Sequence, residues 1–256
     1  MAERSGTQHE QAARFFDGVS GTYRDKYTRA SAFHHYFFSE RIDKATRDLD
    51  LSNADVLDIG SGTGNLYDDL IKRFPAVRFF ATDVSAGMLL QSPVPADRKF
   101  TGHAYDHTFG TRAFNAIFML GVTTYLSPEE LEKNLAFIAS SLKPGGKAVI
   151  TFSNAHALDT WMRAVARWPL SLLGRKDKVL ASGLELRTYS ISEVRRIIAP
   201  HLSISRVDLL NHTVFPFNIL MQGIAVAIAK RLDLYGSGMV MRGLSSDLLI
   251  HAERGD

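Results

Sequence analysis

"VLDIGSGTGN", residues 56–65, is an apolar run carrying one acid that breaks into three glycines at alternate positions, Gly60, Gly62 and Gly64. A strand that ends in glycines and turns into a helix directs backbone N–H groups and the positive helix end at a ligand. Glycine permits the close approach and the positive φ that such turns demand. The spacing here is G-x-G-x-G. The dinucleotide fingerprint is G-x-G-x-x-G, and a phosphate-binding P-loop ends in Gly-Lys-Ser/Thr, so both phosphate readings are weakened. Asp58, two residues before Gly60, would sit at the carboxyl end of the strand, where it repels pyrophosphate and attracts a cationic group.

Outward from this loop, short apolar runs alternate with helical segments, the pattern of βαβ units and a parallel sheet. Residues 54–60, 77–83, 114–120 and 147–153 read as strands, and 99–104 as a weaker one. Ser127-Pro128-Glu129-Glu130 marks a helix start with a capping serine, proline at the first helical position and glutamate three residues after the cap. Leu131, Leu135, Ile138 and Leu142 form its apolar stripe, and Pro144-Gly145-Gly146 is expected to end it in a tight turn. Upstream, Phe38, Ile42, Ala45 and Leu49 share one helix face within residues 27–51. Regularity breaks at residues 155–187, resumes with a helix (192–198) and a strand (202–210), breaks again at 212–243, and closes on a strand over 246–253.

A second acid, Asp83, ends the next strand, where a ribose-binding carboxylate belongs in an open α/β sheet. Together with Asp58 it suggests a nucleoside joined to a cationic group. With Val56–Gly64, Asp83-Val84-Ser85 followed by Met88, Phe114-Asn115-Ala116-Ile117 and Leu142-Lys143-Pro144-Gly145-Gly146, the chain resembles the class I S-adenosylmethionine-dependent methyltransferases. The four motifs occur in order across residues 54–154, with weaker similarity elsewhere. The resemblance implies one α/β domain over residues 1–256. Its doubly wound seven-stranded sheet is mostly parallel with the last strand antiparallel, an N-terminal helical cap spans 1–53, and helical insertions at 155–187 and 212–243 cover the substrate.

The resemblance also implies a cofactor, S-adenosylmethionine, leaving as S-adenosylhomocysteine. Its expected contacts are Tyr23, Asp58, Gly60, Ser61, Gly62, Thr63, Gly64, Asp83, Val84, Met88, His103, Ala104 and Leu120. Asp83 would bond the ribose hydroxyls, Val84 and Met88 would pack near the adenine, and Tyr23, in the segment Phe15–Tyr23, would close over the cofactor. His103 stands where many relatives carry an acid for the adenine amino group. Tyr125 stands where relatives often carry histidine.

Methyl transfer from a sulfonium is an in-line displacement, so the protein's tasks are alignment and exclusion of water, with no metal required. A hydroxyl acceptor needs a general base, and His34, His35, Tyr125 and His212 are the candidates. Trp161, Met162, Val165, Trp168, Leu172 and Leu173, flanked by Arg163, Arg167, Arg175 and Lys176, offer an apolar surface suited to a lid over the site. The same composition suits peripheral contact with a membrane surface. Either use favours a small hydrophobic or amphipathic acceptor, such as a natural product, a quinone-like or a lipid-like molecule.

The bulk properties bound the alternatives. The 256 residues carry a formal net charge of +3 without a basic run, and no motif for methylating nucleic-acid bases is present, so no nucleic acid is expected. The absence of cysteine excludes thiolate metal sites and cysteine nucleophiles. With no secretory signal pattern and no run of about 20 apolar residues, a cytoplasmic location is expected. The competing functions are a catalytically inactive cofactor-binding protein, a methyltransferase with a protein acceptor, and a nicotinamide-dependent dehydrogenase. The last would require the glycine spacing that is missing here.

Overall fold

The computed structural model describes residues 7–24, 32–158, 185–212, 221–233 and 239–255. Seven strands form one sheet in the order β3-β2-β1-β4-β5-β7-β6. They are β1 (Asp55–Ile59), β2 (Arg78–Asp83), β3 (Lys99–Thr101), β4 (Phe114–Met119), β5 (Leu142–Ser153), β6 (Ser203–His212) and β7 (Ser245–Glu253). The first five pair in parallel, and β7 runs antiparallel to both β5 and β6. This is the expected architecture.

Alternation along the central strands builds two cores, one on each face. Leu57, Ile59, Ile117 and Met119 join the cluster beneath α5 (Pro128–Ser141) and α6 (Ile191–Ile198). Val56, Ala116, Phe118 and Val149 join the other, with Leu66 and Leu70 of α3 (Asn65–Arg73) and Leu89 of α4 (Ala86–Gln91). Because both faces are covered, all five residues of β1 are buried, including Asp55 and Asp58. Asp55 is held by Lys143 (2.9 Å) and Arg78 (2.6 Å), whose hydrogen bonds outweigh its burial and hold its carboxyl below the ordinary range.

Three expected boundaries shift. The α5 start is as read, with Ser127 Oγ accepting the Glu130 N–H and Glu130 Oε2 accepting the Ser127 N–H, but the helix ends at Ser141. Leu142 already pairs with Phe114, and Pro144-Gly145-Gly146 is absorbed into an irregularity of β5, with Gly145 at φ +72°, instead of forming a turn before the strand. The N-terminal face condenses into α2 (Ala32–Thr46), with residues 47–51 outside the helix. Strand β6 continues two residues beyond Leu210 because Leu210 and His212 still pair with Asp247 and Ser245. Trp161, Met162, Arg163, Val165, Arg167, Trp168, Leu172, Leu173, Arg175 and Lys176 lie outside the described residues. The second insertion contains α7 (Gln222–Leu232) and α8 (Met239–Leu244).

Candidate active site

The loop after β1 is fastened to the end of β2. Thr82 carbonyl accepts the N–H groups of Gly60 (2.8 Å) and Ser61 (3.0 Å), Asp83 Oδ2 accepts that of Gly62 (2.8 Å), and Ser61 carbonyl accepts that of Gly64 (3.0 Å). These four donors are spent inside the protein. The loop is therefore no phosphate cradle, and the expectation that its N–H groups point at the ligand is corrected at those positions. Gly60 has φ +69°, and a Cβ there would lie 2.3 Å from Val122 Cγ2. A Cβ on Gly62, which lines the adjacent cavity, would meet nothing within 4 Å.

That cavity, of about 350 Å³, opens over the carboxyl ends of β1, β2 and β4. Asp58 and Asp83 line it side by side. Burial pushes the Asp83 carboxyl up to about 6, against the opposing pull of the Ser85 and Gly62 N–H groups. Burial and the adjacent Asp83 push Asp58 well above the carboxylate range. Two acids held apart from counterions in this way favour a ligand that brings positive charge. Ser61, Thr63 and Thr82 line the cavity, and their buried hydroxyl oxygens have no hydrogen-bond partner among the described residues.

Arg41 of α2 contributes a guanidinium to the lining, without another lysine or arginine among the described residues. It stacks on Phe37 at 4.2 Å, pairs with Asp247 of β7 at 3.2 Å, and approaches Gly121 so closely that a Cβ there would be 2.8 Å away. Its Nε has no hydrogen-bond partner among the described residues. Burial raises Asp247, and Arg41 and Ser153 oppose that rise.

α1 (Gln8–Tyr23) closes the cavity from above. Gln8 Nε2 donates to Tyr125 carbonyl (3.0 Å), and Asp17 Oδ1 accepts from Ser85 Oγ (2.5 Å) and the Gly87 N–H (2.9 Å). Just past the helix, Arg24 donates to Thr63 carbonyl (3.0 Å). Phe16 meets Tyr125 edge-on at 5.2 Å. With Tyr23, Phe37 and Phe38 they give the cavity an aromatic wall.

A family model described as a methyltransferase domain matches residues 56–146, the stretch that builds this loop and the central strands. Residues 56–146 thus form a methyltransferase domain. Solved structures with the same fold include geranyl diphosphate C-methyltransferase from Streptomyces coelicolor A3(2), at TM-score 0.63 and 18% identity over 99% of this chain and 100% of that one. Magnesium protoporphyrin IX methyltransferase from Synechocystis PCC 6803 follows at TM-score 0.62 and 12% identity, with 99% and 100% covered. A Haloferax volcanii putative methyltransferase, solved with the Trm112 methyltransferase activator, aligns at TM-score 0.62 and 17% identity, with 94% and 98% covered. Comparison with curated proteins gave no match.

The fold brings Tyr23, Asp58, Gly60, Ser61, Gly62, Thr63, Asp83, Val84, Met88, His103, Leu120 and Tyr125 to one cavity. Gly64 and Ala104 do not line it. Gly64 caps α3 at φ +82°, and Ala104 is fully buried at the start of a 3-10 turn. Nor do three of the base candidates. His34 and His35 lie exposed on α2, and His212 is buried at the end of β6 beside Lys44 and Asp233, where burial and Lys44 lower its basicity. Sequence reasoning missed Arg41, Asp247 and Asp17. Asp17 stands within a segment already singled out. Arg41 and Asp247 are 206 residues apart and meet only through the insertion of β7 beside β5.

Proposed function

We propose that this methyltransferase transfers a methyl group to an oxygen or nitrogen of a hydrophobic or amphipathic small molecule. The observation that carries the acceptor class is the aromatic wall of Phe16, Tyr23, Phe37, Phe38 and Tyr125 on a cavity whose polar groups cluster at the glycine loop and around Arg41. Bound S-adenosylmethionine supplies an electrophilic methyl group on a sulfonium. Its charges fit the residues present: Asp83 takes the ribose hydroxyls, Asp58 faces the cationic end, and Arg41 takes the carboxylate. Val84 and Met88 flank the adenine, and His103 meets its edge. Gly60, Ser61, Gly62, Thr63 and Leu120 shape the cradle, and Tyr23 on α1 covers it.

α1 and the aromatic wall exclude water from the transfer. Tyr125, facing the cavity, is the base candidate retained. Support for an apolar acceptor also comes from relatives of the fold whose names specify a geranyl diphosphate and a porphyrin substrate.

Incubation with methyl-labelled cofactor and a panel of amphipathic phenols and amines, polar metabolites, protein and RNA tests this reading. Label is expected in the organic extract with amphipathic acceptors. Label confined to precipitated protein or RNA would refute it.

A further inference from the structure

Three side chains from separate elements converge at one edge of the cavity. His9 stands in the first turn of α1, His103 follows β3, and Glu130 lies in the first turn of α5. Their donor atoms lie within 4.8 Å of one another. His103 Nε2 is 3.8 Å from Glu130 Oε1, and the His9 and His103 rings meet edge-on at 4.7 Å. The His103 side chain is only 10% exposed, lies flat on Tyr105, and makes no hydrogen bond among the described residues. Glu130 uses Oε2 to cap α5, and this turns its other oxygen toward His103.

We propose that His9, His103 and Glu130 form a binding site for a divalent transition metal of the zinc class, which ties α1 to the core. Two imidazole nitrogens and one carboxylate oxygen are zinc-type donors, whereas magnesium and calcium select oxygen. Donors at zinc bond lengths of about 2.0–2.1 Å stand roughly 3.4 Å apart in a tetrahedron, so the His103–Glu130 pair is already close to that separation. The other separations close with movements of about 1 Å, within the range of small side-chain rotations. Asp106 adds negative charge, and the nearby Lys133 is paired with Glu129 at 2.8 Å.

A second cluster, Glu40, His212 and Asp233, has similar spacing but a different occupant. There the Lys44 ammonium bonds both Glu40 (2.9 Å) and Asp233, filling the cation position. No ammonium bridges the donors of the first cluster among the described residues. A metal there would fix the first turn of α1, as Asp17 fixes its middle, and hold the helix over the cavity. Its role would be structural, and because His9 and His103 also line the cavity it would fix that edge of the cofactor site.

The test is titration of the EDTA-dialysed full-length chain with Co²⁺, read by visible absorption, followed by displacement with Zn²⁺. One equivalent is expected to bind with the d–d bands of a four- or five-coordinate site, and Zn²⁺ is expected to raise the melting temperature. His9→Ala and His103→Ala should each weaken binding by about 100-fold or more, since even indirect partners of metal ligands are worth 10–100-fold. Glu130→Gln keeps the helix cap, so weaker binding in that variant reports the lost ligand. Metal-free melting curves of the variants establish that they fold. Absence of Co²⁺ binding to the wild type, or equal binding by all the variants, would overturn the proposal. S-adenosylhomocysteine titration of the metal-free protein reads the cofactor site independently.

Discussion

At Asp83 the carboxylate that faces the cavity also accepts the Gly62 and Ser85 N–H groups, so one side chain builds the loop and charges the site. Its folded value of about 6 lies above the ordinary 3.8. A raised folded value stabilises the ligand-free fold below the ordinary value, and that contribution is lost as pH rises through about 6. At neutral pH the buried charge opposes folding and favours a cationic ligand. Affinity for S-adenosylhomocysteine should therefore fall as pH drops below about 6, by up to tenfold per unit for one proton. Asp83→Ala should weaken binding by about tenfold or more at neutral pH, the worth of a charged hydrogen bond, and flatten this dependence. Calorimetric titration across pH checks both, with any residual slope belonging to Asp58. At Arg41, truncation alone would strand buried Asp247, so the informative variant is Arg41→Met with Asp247→Asn. It should lower affinity for S-adenosylhomocysteine more than for 5′-methylthioadenosine, which lacks the carboxylate. Equal losses would remove Arg41 from the carboxylate role.

Among the elements, the β1 strand and its glycine turn were legible in sequence because backbone conformation dictates residue type there. Gly60 illustrates the constraint. Gly60→Ala should cost about 1–3 kcal/mol in denaturant melts, from left-handed strain together with the Val122 contact. A Val122→Ala background should recover only the contact part. α1 was legible as a motif but its fastening was not, since Ser85 and Gly87 are distant partners of Asp17. Asp17→Ala removes the acceptor of two hydrogen bonds, each worth about 1 kcal/mol. The expected result is faster deuterium exchange over residues 8–23 and weaker cofactor binding, with the sheet unchanged. If exchange in α1 is unaltered, Asp17 is not its latch. The end of α5 was misread because Pro144-Gly145-Gly146 carries a stop signal whatever its location, and only the pairing of Leu142 with Phe114 places it inside a strand.

Across the whole molecule, the strand order brings the chain's last strand between β5 and β6, and so delivers Asp247 to Arg41. Periodicity identifies strands but does not report which neighbours they choose, so Arg41 and Asp247 were invisible as a pair. Three of the base candidates lie away from the cavity for the same reason: His34, His35 and His212 were chosen by residue type, while the fold decides which side chains reach the cavity. Phe118, fully buried at the sheet centre, should cost about 3–5 kcal/mol as Phe118→Ala, measured by chemical denaturation. No helix among the described residues is long and apolar enough to cross a membrane. Spent loop donors and paired acids together select a cationic nucleoside over a pyrophosphate. Parallel calorimetric titration with S-adenosylmethionine, S-adenosylhomocysteine and NAD tests this selection most directly. Binding of the first two, with none of NAD, is the expected result; binding of NAD without the other two would contradict it.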